Sequence, residues 1–277
     1  MKCPSKIFIA ILFGIAGVLL RSSAGTVITA NLPANTAIVN IDGRADGAAS
    51  FDGGQTHWFH PFNTPGGTLL QYTVQAGTYA FWPINPADAA ARFPALTSGQ
   101  TNQIYTAWTY NSPWILDYLV FDSSAATNFS VPQFFDGAQD IGYANAIAAY
   151  TNAFLRGTYN QLHTAGRLGT NISTTYTFTN TTTLIFVVPD YALSDNGGGV
   201  SVLVFPQPIL SIGTNGSSVA VQWPTNNSVG FTLAQTTNLA GGLWTDVGQV
   251  PSVLNSNYTV TLPLDASPNQ FFRLHSP

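Results

Sequence analysis

The chain has 277 residues, of which 45% are hydrophobic and only 7% charged, with a formal charge of −4 and a single cysteine, Cys3. So few lysines and arginines argue against a nucleic-acid surface, because neutralising phosphates takes clustered cations, and against anionic lipid for the same reason.

The first segment reads as an export signal. Lys2 and Lys6 form a basic start, Ile7 to Leu20 an apolar run, and Ser22-Ser23-Ala24 a small-residue cleavage site. A run of about 14 apolar residues falls short of the roughly 20 a spanning helix needs, and Arg21 ends it. Residues 1–24 are therefore predicted to be a signal peptide cut after Ala24, leaving no transmembrane segment in the mature protein. Cys3 precedes the apolar run, whereas a lipid-accepting cysteine would follow it. The processed chain then holds five arginines against twelve aspartates, a formal charge of −7, with no lysine, glutamate or thiol. Asn, Thr, Ser and Gly must carry solubility, which suits a secreted or cell-envelope protein.

The predicted fold class is mainly β, with two β-sandwich domains, the first jelly-roll-like with two helical insertions. In residues 25–205 strands are predicted at Thr26 to Leu32, Ala37 to Ile41, Leu69 to Val74, Thr78 to Ile84, Ile115 to Phe121, Thr175 to Phe178, Leu184 to Val188 and Val200 to Phe205. Gln75-Ala76-Gly77 reads as a hairpin turn between the third and fourth. One helical insertion is predicted at Pro86, with Asn85 as N-cap, and restarts at Thr97, where Gln100 completes capping-box spacing. The other is predicted from Asp140 to Leu155, with Asp136 and Asp140 as caps. The prolines at 206 and 208 make residues 206–208 a stiff linker. Residues 209–277 then read as a small C-terminal β-sandwich, with strands at Ser218 to Trp223, Gly230 to Thr236, Leu243 to Val247, Tyr258 to Leu264 and Gln270 to Leu274, anchored by Trp223 and Trp244.

Residue supply removes several chemistries. Without cysteine or glutamate there is no thiol nucleophile, thiolate zinc site or His-Glu-x-x-His helix. Ser194-Asp195-Asn196 looks like the central motif of penicillin-recognising enzymes, but the processed chain has no lysine for their Ser-x-x-Lys nucleophile. His57-Trp58-Phe59-His60, with Asp52 nearby, could ligate a metal from a loop, although i and i+3 point to opposite faces of a strand. Asp117 with Asp122, or Asp136 with Asp140, could serve as the acid and base of a glycosidase, or simply cap and end elements.

Two segments carry the binding expectations. Asp190-Tyr191-Ala192-Leu193-Ser194-Asp195-Asn196-Gly197-Gly198-Gly199 gathers the oxygen donors that Ca²⁺ takes as ligands. It resembles the C-terminal calcium loop of calcium-dependent galactose-binding bacterial lectins, with Asp195, Asn196 and Gly198 matching as they stand. Val188 and Ala192 occupy upstream ligand positions without a ligating side chain, and Asp190 compensates. That resemblance implies Ca²⁺ on Asp190, Asp195 and Asn196, while a plain Asp-Asn-Gly hairpin turn explains the same residues. The second segment, Tyr105 to Trp114, packs aromatics among small polar residues, with Trp82 nearby. Trp108, Tyr110 and Trp114 are its candidate sugar-stacking residues, and burial in the core is the alternative for each.

Gly230-Phe231-Thr232-Leu233, Thr236-Thr237-Asn238-Leu239, Trp244 and Phe271-Phe272-Arg273-Leu274 resemble a C-terminal β-domain recurrent in secreted proteins of environmental bacteria. The resemblance implies an accessory or surface-associated module without catalytic residues. The sequence as a whole reads as a secreted or cell-surface non-catalytic protein, with a calcium-assisted carbohydrate-binding module whose partners are glycans or cell-surface polymers. The alternatives are an Asp-based polysaccharide-degrading enzyme and a structural envelope component.

Overall fold

The computed structural model of the protein describes residues 25–50, 59–63, 68–110, 113–123, 133–136, 142–156, 174–190, 192–225, 228, 230–263 and 269–275. The predicted signal peptide, Asp52, His57 and Asp140 lie outside these residues. The protein is mainly β.

Up to the proline pair the elements in chain order are β1 (Thr26–Ile28), β2 (Ala37–Asp42), β3 (Asp46–Ser50), β4 (Phe59–Asn63), β5 (Gln71–Val74), β6 (Gly77–Pro83), α1 (Pro86–Arg92), α2 (Ser98–Thr101), β7 (Trp108–Tyr110), β8 (Trp114–Ile115), β9 (Leu119–Asp122), β10 (Gln133–Asp136), α3 (Ala146–Arg156), β11 (Thr174–Phe178), β12 (Thr182–Val187) and β13 (Asn196–Pro206). One antiparallel sheet has the order β1-β2-β13-β6-β11, with β7 and β8 added at the start of β13, and a second has the order β10-β9-β12-β5. The chain crosses between them from β5 to β6 and at each step from β10 to β13, the alternation of a jelly-roll-like sandwich.

Period-2 patterning explains how the sheets pack. Val39 and Ile41 of β2, Tyr79 and Phe81 of β6, and Val200, Val202 and Val204 of β13 meet Val120, Leu184 and Phe186 from the facing sheet in one core. The alternate residues are buried too, because both outer faces are covered. Ile38 and Leu203 pack under Ile84, Ala89, Phe93 and Ile104 from the helical insertion, while Leu119, Phe121, Ile185 and Val187 pack against Ala48. Burial on both faces makes β2 and β12 near-continuous apolar runs.

The first insertion has the predicted caps: Asn85 Oδ1 accepts from the Asp88 N–H (2.8 Å), and Thr97 and Gln100 form the capping box. Three expectations need correction. The Gln75–Gly77 turn does not close a hairpin, because β5 pairs with β12 while β6 pairs with β13 and β11; it is a corner between sheets, with Gly77 at φ 143°. The second helix starts at Ala146 rather than Asp140, and the residue that caps it is Asn145, whose Oδ1 accepts from the Ala148 N–H (2.8 Å). The predicted strand from Ile115 to Phe121 is broken into β8 and β9, which join different sheets.

Beyond Pro208 come β14 (Ser211–Asn215), β15 (Ser218–Pro224), β16 (Thr232–Thr236), β17 (Thr245–Asp246), β18 (Ser252–Leu254), β19 (Asn257–Pro263) and β20 (Phe271–His275). They form sheets β14-β15-β19-β18 and β17-β16-β20. Trp223 is buried between them against Tyr258, ring centroids 5.7 Å apart. Trp244 differs from the expectation of a buried anchor: it is half-buried, with the Arg273 guanidinium 4.3 Å from its ring centroid. Among the described residues no strand pairing joins β14–β20 to the earlier strands, and their core of Val219, Val221, Trp223, Leu233 and Val260 is separate from the other clusters.

Candidate functional site

The two segments singled out in the sequence meet in space. The first three residues of β13 pair antiparallel with β7, Asn196 opposite Tyr110, Gly197 opposite Thr109 and Gly198 opposite Trp108. β7 turns back on β8, with Thr109 opposite Trp114, and the Thr109 hydroxyl donates to the Pro113 carbonyl (2.8 Å) across that turn. Trp114 is held from outside as well, since its backbone exchanges hydrogen bonds with Tyr143 (2.8 and 2.9 Å). Gly198 makes the approach possible. It has φ +71°, and a β-carbon there would stand 3.0 Å from Trp114 Cζ3.

The three aromatics have different environments. Trp108 is 3% exposed; its indole packs in the core, and Nε1–H donates to the Asp117 carbonyl (3.1 Å). Its predicted role as a sugar-stacking face is corrected by that burial. Tyr110 is 43% exposed, its ring 5.9 Å from that of Trp108, and Trp114 is half-buried. Trp82, also 43% exposed, is on β6, opposite Leu203 of β13.

The proposed calcium ligands are spread over different environments. Asp190 Oδ1 accepts from the Ala192 N–H (3.0 Å), and its backbone carbonyl accepts from the Ala48 N–H (3.1 Å). Asp195 is exposed and ends a single 3-10 turn, Leu193–Asp195, that leads into β13. Asn196 is fully buried; its Nδ2 donates to the Gly43 carbonyl (2.7 Å). Its Oδ1 has no hydrogen-bond partner among the described residues, which is the kind of oxygen a hard cation takes. The backbone carbonyl of the same residue, however, accepts from Arg44 Nε. A guanidinium seated there repels a divalent ion, and no group of three His, Cys, Asp or Glu side chains with metal-holding geometry occurs among the described residues.

A polar network missed from the sequence lies behind this surface. Asn40 and Asp42 share the outer face of β2 with Ile38, alternating with Val39 and Ile41 of the inner face, and Ser201 of β13 stands opposite Asn40. Ser201 Oγ donates to Asn40 Oδ1 (2.6 Å) and accepts from the Tyr105 N–H (2.8 Å). Asn40 Nδ2 donates to Thr26 Oγ1 (3.0 Å), and the Tyr105 phenol to Asp42 Oδ2 (2.9 Å). In the β2–β3 turn, Asp42 Oδ1 accepts from the Arg44 N–H (2.7 Å), and the fully buried Asp46 accepts at Oδ2 from the Asp42 and Gly25 N–H groups (2.9 and 3.0 Å). Burial first, then the charge of Asp42, pushes the Tyr105 phenol well above its ordinary pKa and keeps it a donor. The legible signal was a pair of polar residues at alternate positions in an apolar strand.

The carboxylates of this network are closed to solvent and engaged by donors, so they hold structure and offer no acid–base pair to a substrate. Of the predicted acid–base pairs, Asp117 is 8% exposed beside Trp108, Asp122 ends β9 half-buried, and Asp140 and the side chain of Asp136 lie outside the described residues. A groove of about 510 Å³, lined by Arg92, Phe205, Gln207, Phe231, Leu274 and His275, contains none of the predicted site residues. Its Arg92 guanidinium is stacked 4.7 Å from the Phe205 ring centroid. The chain matches no family model, no curated protein and no solved structure.

Proposed function

We propose that the protein is a secreted or cell-surface, non-catalytic carbohydrate-binding protein whose contact face is built on Tyr110 and Trp114. The observation that carries this reading is the pairing of β7 with the start of β13, which sets the exposed Tyr110 phenol beside a glycine-rich edge, with the half-buried Trp114 on the adjoining β8 opposite Thr109. Sugar rings stack on aromatic faces, and their hydroxyls take hydrogen bonds from neighbouring polar groups. Arg44 and Asp195, both exposed and flanking Asn196, supply such groups here. An exposed aromatic at a strand end suits a glycan or cell-surface polymer, which binds along a surface. Arg44 already provides the positive charge at Asn196, so this reading needs no calcium.

The test is a glycan array probed with the exported protein, followed by Tyr110→Ala and Trp114→Ala. Binding lost in both variants, with circular dichroism unchanged, supports the site. No glycan bound, or binding that survives both substitutions, overturns it.

A further inference from the structure

Gly25 is the first described residue, and its surroundings leave no room for a side chain. A β-carbon there would collide with the Asn40 carbonyl oxygen and with Asp46 Oδ2, and would stand 2.8 Å from Leu70 Cδ2. Its nitrogen is 3.0 Å from Asp46 Oδ2, and Asp46 is 0% exposed. A carboxylate so far out of water is costly unless opposite charge or several donors meet it. Two backbone N–H groups, those of Gly25 and Asp42, meet it at Oδ2. The leader-like segment ends at the preceding residue, and a leader site dictates small residues before the cut, as in Ser22 and Ala24, not after it. The glycine after the cut is dictated by the fold.

We propose that cleavage between Ala24 and Gly25 creates an α-ammonium that closes a buried ion pair with Asp46, so that export processing itself completes the fold at the β1 edge. The inference rests on the export half of the proposed function and not on carbohydrate binding. Hydrolysis by a leader peptidase adds water across the Ala24–Gly25 amide. Ala24 leaves with the new carboxylate, and the Gly25 nitrogen takes up protons to become an ammonium. The same atom changes from a neutral donor with one proton to a cation with three, already within hydrogen-bond distance of the buried carboxylate. Such a charge-assisted bond is stronger than the amide contact it replaces. It pins β1, whose three residues pair, among the described residues, only with β2.

The processed chain has no lysine, so its α-amine is its only aliphatic amine and an amine-acylating reagent reports on that atom alone. Intact mass of the exported protein first fixes the N-terminus, expected at Gly25. Acylation at neutral pH should then be about tenfold or more slower in the folded protein than in the denatured one, the effect of holding the amine protonated by one extra unit of pKa. Asp46→Asn should restore fast labelling in the fold. Should that variant not fold, protein acylated in denaturant and then refolded replaces it, and is expected to melt below the unmodified protein. An N-terminus elsewhere overturns both the cleavage site and the ion pair. A Gly25 amine that labels equally fast in folded and denatured protein overturns the ion pair and leaves the export reading standing.

Discussion

Tyr110 stands directly opposite Asn196 where β7 pairs with the first residues of β13, so two segments far apart in sequence share one surface. The neighbouring pair, Trp108 opposite Gly198, turns its indole inward. The two rings share one face of β7, 5.9 Å apart, yet Trp108 lies over the core while Tyr110 ends the strand and reaches the surface.

That difference in burial makes a prediction about separate readouts. Trp108→Ala empties a core site and loses the bond to the Asp117 carbonyl, so it should destabilise by about 3–5 kcal/mol. Tyr110→Ala removes an exposed ring and should change stability by no more than about 0.5 kcal/mol while abolishing glycan binding. Denaturant titration and the array measure the two effects. Equal destabilisation by both substitutions would contradict the assignment of roles.

Calcium provides a second prediction. An ion bound only by the folded state stabilises by mass action, about 2.7 kcal/mol at a hundredfold excess over its Kd. With Arg44 on the Asn196 carbonyl, millimolar Ca²⁺ should leave the melting temperature unchanged. A rise abolished by Asp195→Ala would show that the guanidinium gives way to a cation, and would restore the role that the lectin resemblance implied.

Strand positions were legible wherever one face meets a core, because period-2 runs such as Ser218 to Trp223 and Thr78 to Ile84 carry that burial in their letters. Sheet membership was not, since Gln75-Ala76-Gly77 has the same residues whether it closes a hairpin or turns a corner. Both halves of the candidate surface were legible as composition, but their pairing depends on tertiary contact between β7 and β13. Tyr105 and Asp42 were invisible as partners for the same reason. The burial of Trp108 was also hidden, because an indole between small polar residues reads alike on either side of a strand.

Alkaline titration tests the buried phenols. Burial raises Tyr72, burial raises Tyr79 to about 12, and burial together with Asp88 or Asp42 raises Tyr150 and Tyr105 well above the ordinary value of 10.0. Each group's folded pKa lies above its unfolded one, so its contribution to stability is fully present below about pH 10 and is lost as pH rises through the folded value. The melting temperature should hold up to about pH 10 and fall steadily toward pH 12. Tyr105→Phe leaves buried Asp42 without its phenol donor, so it should cost about 1–3 kcal/mol at neutral pH and make the alkaline fall shallower. A fall of unchanged steepness in that variant would remove Tyr105 from the titrating set.

The last prediction concerns the segment between β13 and β14. β13 ends at Pro206 and β14 begins at Ser211, so residues 207–210 lie outside both strands. Ile209 is 63% exposed, and Pro208 cannot donate a backbone hydrogen bond that would shield the segment. One tether holds its start, the Gln207 N–H donating to the Thr78 carbonyl (2.8 Å). Beyond it, the Trp223 core shares no residue with the clusters behind β2, β6 and β13. A segment exposed between separate cores is where a protease acts first and where each side keeps its own packing. Limited proteolysis should therefore cut at Ile209 or Leu210 and release a fragment reaching residue 277. That fragment should keep the fluorescence of a buried Trp223 and unfold in a single transition of its own. Cuts scattered on both sides, or a released fragment with solvent-exposed tryptophan fluorescence, would mean that the two cores depend on each other and that residues 209–277 are not an independent domain.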